Sequence, residues 1–346
     1  MKLKKIVFLI YILLFIIIYS LYVYINPGIT DSRNYFYSFQ SIRDNGYLKF
    51  MMDAYSSAGK LEFVFYFIYF IFSFLPILSD FFWFILANYM VLSAINVFAI
   101  YNLLKYLDCK NKIKIIYYSV SLLFLWLPSY LNMAWLWRAD FSYALMLLGF
   151  TFYIEKKILF FFFYSTLSVF SHYSSLPILA LIIIFYHLSK NVKTISFGIK
   201  FIILISFSII LAILYKYVKS NFTSGSGNWK SDYYLGKLII IYLLTGLFLM
   251  SSIFHRVRKK INKKQADFIC TTIFFSILTL AIAINSNGNH QDITRVMHVS
   301  VFLYCITIPI LYTNSATLLS KFSLLLYSLV GCCTTIYILS NLFMLN

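Results

Sequence analysis

Acidic side chains are scarce in this chain: 11 Asp and Glu stand against 29 Lys and Arg, and charged residues of both signs make up only 12% of it. That shortage, with 62% hydrophobic residues and a mean hydropathy of +0.83, excludes an ordinary soluble domain, in which about a quarter of the residues are charged. Glycine and proline are few as well, 11 and 5, and no Gly- or Pro-rich linker or long polar stretch separates a second domain. The five cysteines (Cys109, Cys270, Cys305, Cys332 and Cys333) have no metal-ligand spacing, and most lie in apolar runs. They read as buried free thiols, with no disulfide framework and no metal site. A phosphate-binding Gly-rich loop, His-Glu-x-x-His and Gly-x-Ser-x-Gly are all absent, so a Ser or Cys nucleophile has no support. No repeat of fixed short period is visible.

What is present is a succession of apolar runs, many of them long enough to cross hydrocarbon, which takes about 20 helical residues. The expected fold is all-α: a polytopic transmembrane helical bundle of about 11–12 apolar helices, forming one integral-membrane domain over residues 1–346. Hydropathy places spans at 6–25, 81–104, 115–131, 139–154, 158–171, 174–188, 200–218, 238–254, 266–284, 297–313 and 317–343. Met1-Lys2-Leu3-Lys4-Lys5 and the run that follows read as a signal anchor, because the run is too long for a signal-peptide core and no small-x-small cleavage site follows. The net charge of +18 does not point to nucleic acid, since the basic residues form short clusters between apolar runs, as cytoplasmic loops do.

Leu61–Leu78 is also apolar and sets a parity problem. If it does not cross, for example as a re-entrant or interfacial helix broken near Pro76, then the N-terminus, 105–114, 156–157, 190–200, 256–264 and Lys321 share one side. That side then holds most of the basic residues, as the inner side should. Asp31, Arg138, the His172 end, the Gly/Ser-rich loop 219–237 and Arg295 then all fall on the outer face. Polar loops over a membrane cavity suit a bulky hydrophilic substrate better than a small ion.

Polar groups at the ends of the apolar runs are the candidates for chemistry, because a charge at membrane depth costs roughly 2.5–3.5 kcal/mol and usually faces a cavity or a partner. Asp31 and Tyr35 share a face at i and i+4 if their segment is helical, and Asp31 equally suits a helix N-cap with the Tyr packed beneath it. Arg138 opens a run behind Trp135-Leu136-Trp137. It either snorkels to headgroups beside an aromatic belt or faces a polar site. His172, in Ser171-His172-Tyr173-Ser174, is either bonded to a backbone carbonyl or functional. Arg295 opens a late run behind His290-Gln291-Asp292, with Asp292 three residues before it and able to pair on a helix. Arginine forks match phosphate and pyrophosphate geometry. Guanidinium, imidazole, carboxylate and phenol on one face suit a lipid-linked pyrophosphate whose sugar sits at the water interface.

An outer Asp31-x-x-x-Tyr35, a span opening with Arg138, an inner Lys156-Lys157 turn, a span ending His172-x-Ser174 and a late span opening with Arg295 follow in that order. This order resembles the EpsG/Wzy-type bacterial polysaccharide polymerases. The likeness covers most of the chain and is most specific from Arg138 to Ser174. Where such families commonly place Gln after the Arg, this chain has Ala139 and then Asp140. The resemblance implies a glycosyltransferase of the bacterial inner membrane's outer face, with an undecaprenyl-pyrophosphate-linked oligosaccharide as both donor and acceptor. It would build O-antigen, capsule or exopolysaccharide by an inverting displacement, in contact with membrane lipid and a chain-length regulator. No cofactor or metal is expected. Arg138, His172, Arg295 and Asp31 are then the candidate catalytic residues, and Tyr35, Arg33, Asp140, Ser174, His290 and Asp292 the candidate substrate contacts. Two readings remain beside it: a lipid-linked oligosaccharide flippase, whose cations should line a path through both leaflets, and an O-antigen ligase, which shares donor and chemistry. The early Arg/His arrangement of the integral-membrane acyltransferases is missing.

Overall fold

The computed structural model describes residues 2–25, 31–58, 62–126, 136–190, 233–284 and 290–344. The expected span 200–218 and most of the loop 219–237 lie outside them. Most helices among the described residues follow from apolar runs whose backbone must pair within itself away from water, whereas Ser32–Asn45 is a polar helix with one buried face. In chain order these are α1 (Lys2–Ile25), α2 (Ser32–Asn45), α3 (Tyr47–Ala58), α4 (Phe63–Ser73), a 3-10 turn (Pro76–Ser79), α5 (Phe81–Tyr106), α6 (Lys112–Leu125), α7 (Trp137–Ile154), α8 (Ile158–Ser171), α9 (Ser175–Ser189), α10 (Tyr233–Val257), α11 (Lys263–Ile284), α12 (His290–Asn314) and α13 (Leu318–Met344). Among the described residues, four stretches are long and apolar enough to cross a membrane: Phe81–Tyr106, Ile239–Val257, Lys263–Ile284 and Met297–Asn314. Shorter apolar helices accompany them.

Local sequence sets the breaks. Gly46, at φ 84°, accepts the left-handed backbone that turns α2 directly into α3. Leu75 is extended ahead of Pro76, as a pre-proline residue should be, and α4 stops there. With 11 residues α4 is about 16 Å long, half of what a crossing needs.

The chain forms two units. The first holds Met1–Tyr106 and Leu131–Ala180. In it α1 packs on α5, α5 on α7, α7 on α8, and α4 on α2, α3, α7 and α8. Helices α1 and α5 run antiparallel: Tyr19 meets Tyr89 at 5.7 Å between ring centroids, and Tyr24 meets Phe82, also at 5.7 Å. The end of α1 therefore lies beside the start of α5, so the segment carrying α2, α3 and α4 leaves and returns at the same end. That agrees with a Leu61–Leu78 segment that does not cross. The second unit, Leu107–Tyr130 and Leu181–Asn346, packs α6, α10, α11 and α13 around α12.

Candidate functional site

Antiparallel packing in the first unit puts the start of α7 beside the end of α8. Arg138 is the second residue of α7, and His172 follows the last residue of α8 in extended conformation, at φ −162°. Both meet one carboxylate, that of Glu62, which immediately precedes α4. Arg138 Nη1 lies 2.6 Å from Glu62 Oε2, and His172 Nδ1 lies 3.0 Å from Glu62 Oε1. The Glu62 side chain is 6% exposed, against 30% for Arg138 and 27% for His172. Glu62 occupies the N-cap position of α4 yet makes no capping hydrogen bond, because its oxygens go to Arg138 and His172.

Burial opposes the charge on Glu62. The His172 hydrogen bond, the Arg138 and His172 charges and the Tyr173 backbone N–H outweigh it and hold the carboxyl below its ordinary range. Arg138 Nη1 also donates to Tyr66 Oη at 3.3 Å. Both contacts engage Nη1; among the described residues no protein acceptor meets Nη2 or Nε. Arg138 is thus paired inside the unit, and two faces of its fork remain for an anion.

The other sequence candidates separate into groups. Tyr35 is buried, stacked on Trp137 at 5.2 Å between centroids and edge-on to Phe65. Its ring faces the interior and fixes the first turn of α7. Asp31 is exposed at the N-cap position of α2 without a side-chain capping bond, its charge close enough to raise the Tyr35 phenol further. Arg33 is exposed on the same helix. Asp140 is buried and turned to α5, where Asn96 Nδ2 donates to its Oδ2 at 2.7 Å. Ser174 Oγ shares a hydrogen bond with Tyr143 Oη at 3.2 Å, and the Tyr143 ring is edge-on to His172 at 6.5 Å. His290, Asp292 and Arg295 lie on the first turns of α12, in the second unit, and their side chains fall outside the described part of the structure.

Sequence reasoning missed Glu62. Its signal was available: it is an ionisable residue at the mouth of the apolar run Phe63–Leu78, the same criterion that singled out Arg138 and His172. Tyr66, one helical turn further on, was missed with it. No family model, curated protein or solved structure matches the chain.

Proposed function

We propose that this protein is a membrane glycosyltransferase. It polymerises undecaprenyl-pyrophosphate-linked oligosaccharide repeat units into O-antigen, capsule or exopolysaccharide at the outer face of the bacterial cytoplasmic membrane. The observation that carries the reading is the convergence of a half-buried guanidinium and an imidazole on one buried carboxylate at a single end of the first unit. A transporter's cations should instead be distributed along a path.

Pyrophosphate is already a competent leaving group, so the demand on the protein is to stabilise the charge that develops on it. The Nη2 and Nε donors of Arg138 suit that task. The attacking sugar hydroxyl gains from a base within hydrogen-bond reach, the role assigned to His172. Attack on the anomeric carbon opposite the departing pyrophosphate inverts its configuration in one step.

The test is a clean deletion. Loss of the polymerase leaves surface polysaccharide limited to a single repeat unit. Loss of a flippase strands units inside with little surface product, and loss of a ligase leaves lipid-linked polymer that is not transferred to its final acceptor. A normal polymer ladder in the deletion strain rules the reading out.

A further inference from the structure

The geometry points to Glu62 as the positioning residue of this site: its carboxylate fixes the tautomer of His172, so that Nε2 is the atom that accepts a proton, and holds Arg138 beside it. The inference rests on the polymerase reading for the identity of the reaction, and on the contacts alone for the tautomer.

An ionised carboxylate can only accept hydrogen bonds. Glu62 Oε1, 3.0 Å from His172 Nδ1, therefore requires the proton on Nδ1, and the neutral ring then carries its lone pair on Nε2. The ionised state is maintained by Arg138 at 2.6 Å on the other oxygen. The charged or titratable side chains around the pair include Arg138 and Tyr143 from α7, the latter edge-on to the His172 ring, and, next to Arg138, Tyr66 from α4 and Tyr35 from α2. The backbone of His172 is pinned on both sides, its N–H bonded to Ser168 O and its carbonyl to the Ser175 N–H, each at 3.0 Å. Ring orientation is then set by Nδ1 alone. Among the described residues no protein group meets Nε2.

In the reaction, the acceptor hydroxyl forms its O–C bond to the anomeric carbon while its proton passes to His172 Nε2. The bond from that carbon to the pyrophosphate oxygen breaks, and its electron pair leaves with undecaprenyl pyrophosphate. Glu62 stays ionised throughout and stabilises the imidazolium; no proton moves to it. Arg138, tied to the same carboxylate, keeps a fixed distance from the base.

Glu62→Gln separates this role from simple charge neutralisation. Its amide has one oxygen, and the guanidinium, a pure donor, claims it. The amide NH2 then faces His172 and forces Nδ1 to accept, which moves the ring proton to Nε2 and removes the base. The experiment uses full-length protein labelled with 15N-histidine, with His172→Asn to assign the signal, together with polymerisation of lipid-linked units accumulated by the deletion strain. Wild type is expected to show the Nδ1–H tautomer. Glu62→Gln should show Nε2–H, and its kcat should fall about a hundredfold or more with KM changed only a few-fold. Glu62→Asp should keep the tautomer and recover part of kcat. A wild-type His172 protonated at Nε2 overturns the inference, whether or not any variant folds. A folded Glu62→Gln with unchanged kcat also overturns it. A wild type that shows Nδ1–H, and shifts in Glu62→Gln, but makes no polymer overturns the polymerase reading and upholds Glu62 as the residue that sets His172.

Discussion

At the scale of the residue, Glu62 connects the chemistry to stability. It lies ahead of α4, outside the membrane-spanning segments, and its carboxyl is held below its ordinary value of 4.5. A lowered folded-state value means that the unfolded chain binds the proton more readily. The pair's stabilisation is therefore fully present above about pH 4.5 and is lost as pH falls through the lowered value. Thermal unfolding in detergent should show a midpoint that drops as the pH is taken below the ordinary carboxyl value, and the drop should be smaller in Glu62→Gln. An identical acid loss in both proteins would remove Glu62 as its source. Glu62→Ala leaves Arg138 without its partner. Because that arginine is 30% exposed and can reach water, the cost should fall below the roughly 3–5 kcal/mol of a fully buried pair. Arg138→Lys tests the fork itself. One ammonium can still meet Glu62, but it cannot also present the planar donors of Nη2 and Nε. Protein at normal abundance with most of the polymer ladder lost is expected, and a wild-type ladder would return Arg138 to an interfacial role. Arg138 and His172 were legible because polar groups at the ends of apolar runs are conspicuous. Glu62 carries the same signal, but Leu61–Leu78 raised a question of parity instead, and its partner His172 is 110 residues away.

At the scale of the element, the α7–α8 hairpin carries the site, and its seam is built from small residues. Ser142 Oγ donates to Ser168 O at 2.9 Å, and Ser168 Oγ donates back to Ser142 O at 2.8 Å. Such reciprocal bonds let two apolar helices approach closely without a hydrophobic driving force. Near the other end, a Cβ on Gly149 would stand 2.7 Å from Ser165 Oγ and 3.3 Å from Ser165 N. Gly149→Ala should therefore lose on the order of 1 kcal/mol despite its better helix propensity. Ser165→Ala, which removes the nearest atom, should restore stability in the double variant. Additive losses in a thermal-stability cycle would show that the two positions do not touch. A larger side chain, as in Gly149→Leu, should wedge the hairpin and lower polymerisation by moving His172 away from Glu62. The hairpin was the best-read part of the chain: expected spans at 139–154 and 158–171 meet helices Trp137–Ile154 and Ile158–Ser171. Lys156 makes the turn between them, at a φ of 62°. The seam was not legible, because serines inside apolar runs carry no sign of the helix they face. The spacing of Asp31 and Tyr35 allowed for a Tyr packed beneath an N-cap Asp, but not for Trp137 as the ring it stacks on.

At the scale of the whole molecule, the alternation of apolar runs pointed to the helical fold, and charge asymmetry sets an expectation for its sidedness. The structure adds that two of the basic loops belong together. Within the second unit, Asn262 Nδ2 and Gln265 Nε2 both donate to Leu107 O, at 2.8 and 3.1 Å, and Lys264 Nζ pairs with Asp108 at 2.7 Å. The loop after α5 and the loop between α10 and α11 therefore occupy the same end of that unit, whichever side of the membrane it faces. The excess of Lys and Arg predicts that they face the cytoplasm. Cys109 is a poor reporter of that assignment. It is buried against Gln265 Nε2 at 3.5 Å, and burial pushes its thiol up to about 12, so the reactive thiolate is scarce at neutral pH. Lys110 and Lys260 are exposed on the same two loops and carry the experiment instead. In a background with Cys333 replaced, Lys110→Cys and Lys260→Cys should resist a membrane-impermeant maleimide in intact spheroplasts and react once the membrane is permeabilised. Native Cys109 should stay unlabelled in both conditions. Labelling of both introduced cysteines from outside would invert the topology. It would also move the end of α7 that carries Lys156 and Lys157 out of the cytoplasm, and with it put Arg138, Glu62 and His172 on the wrong face for a polymerase of exported units.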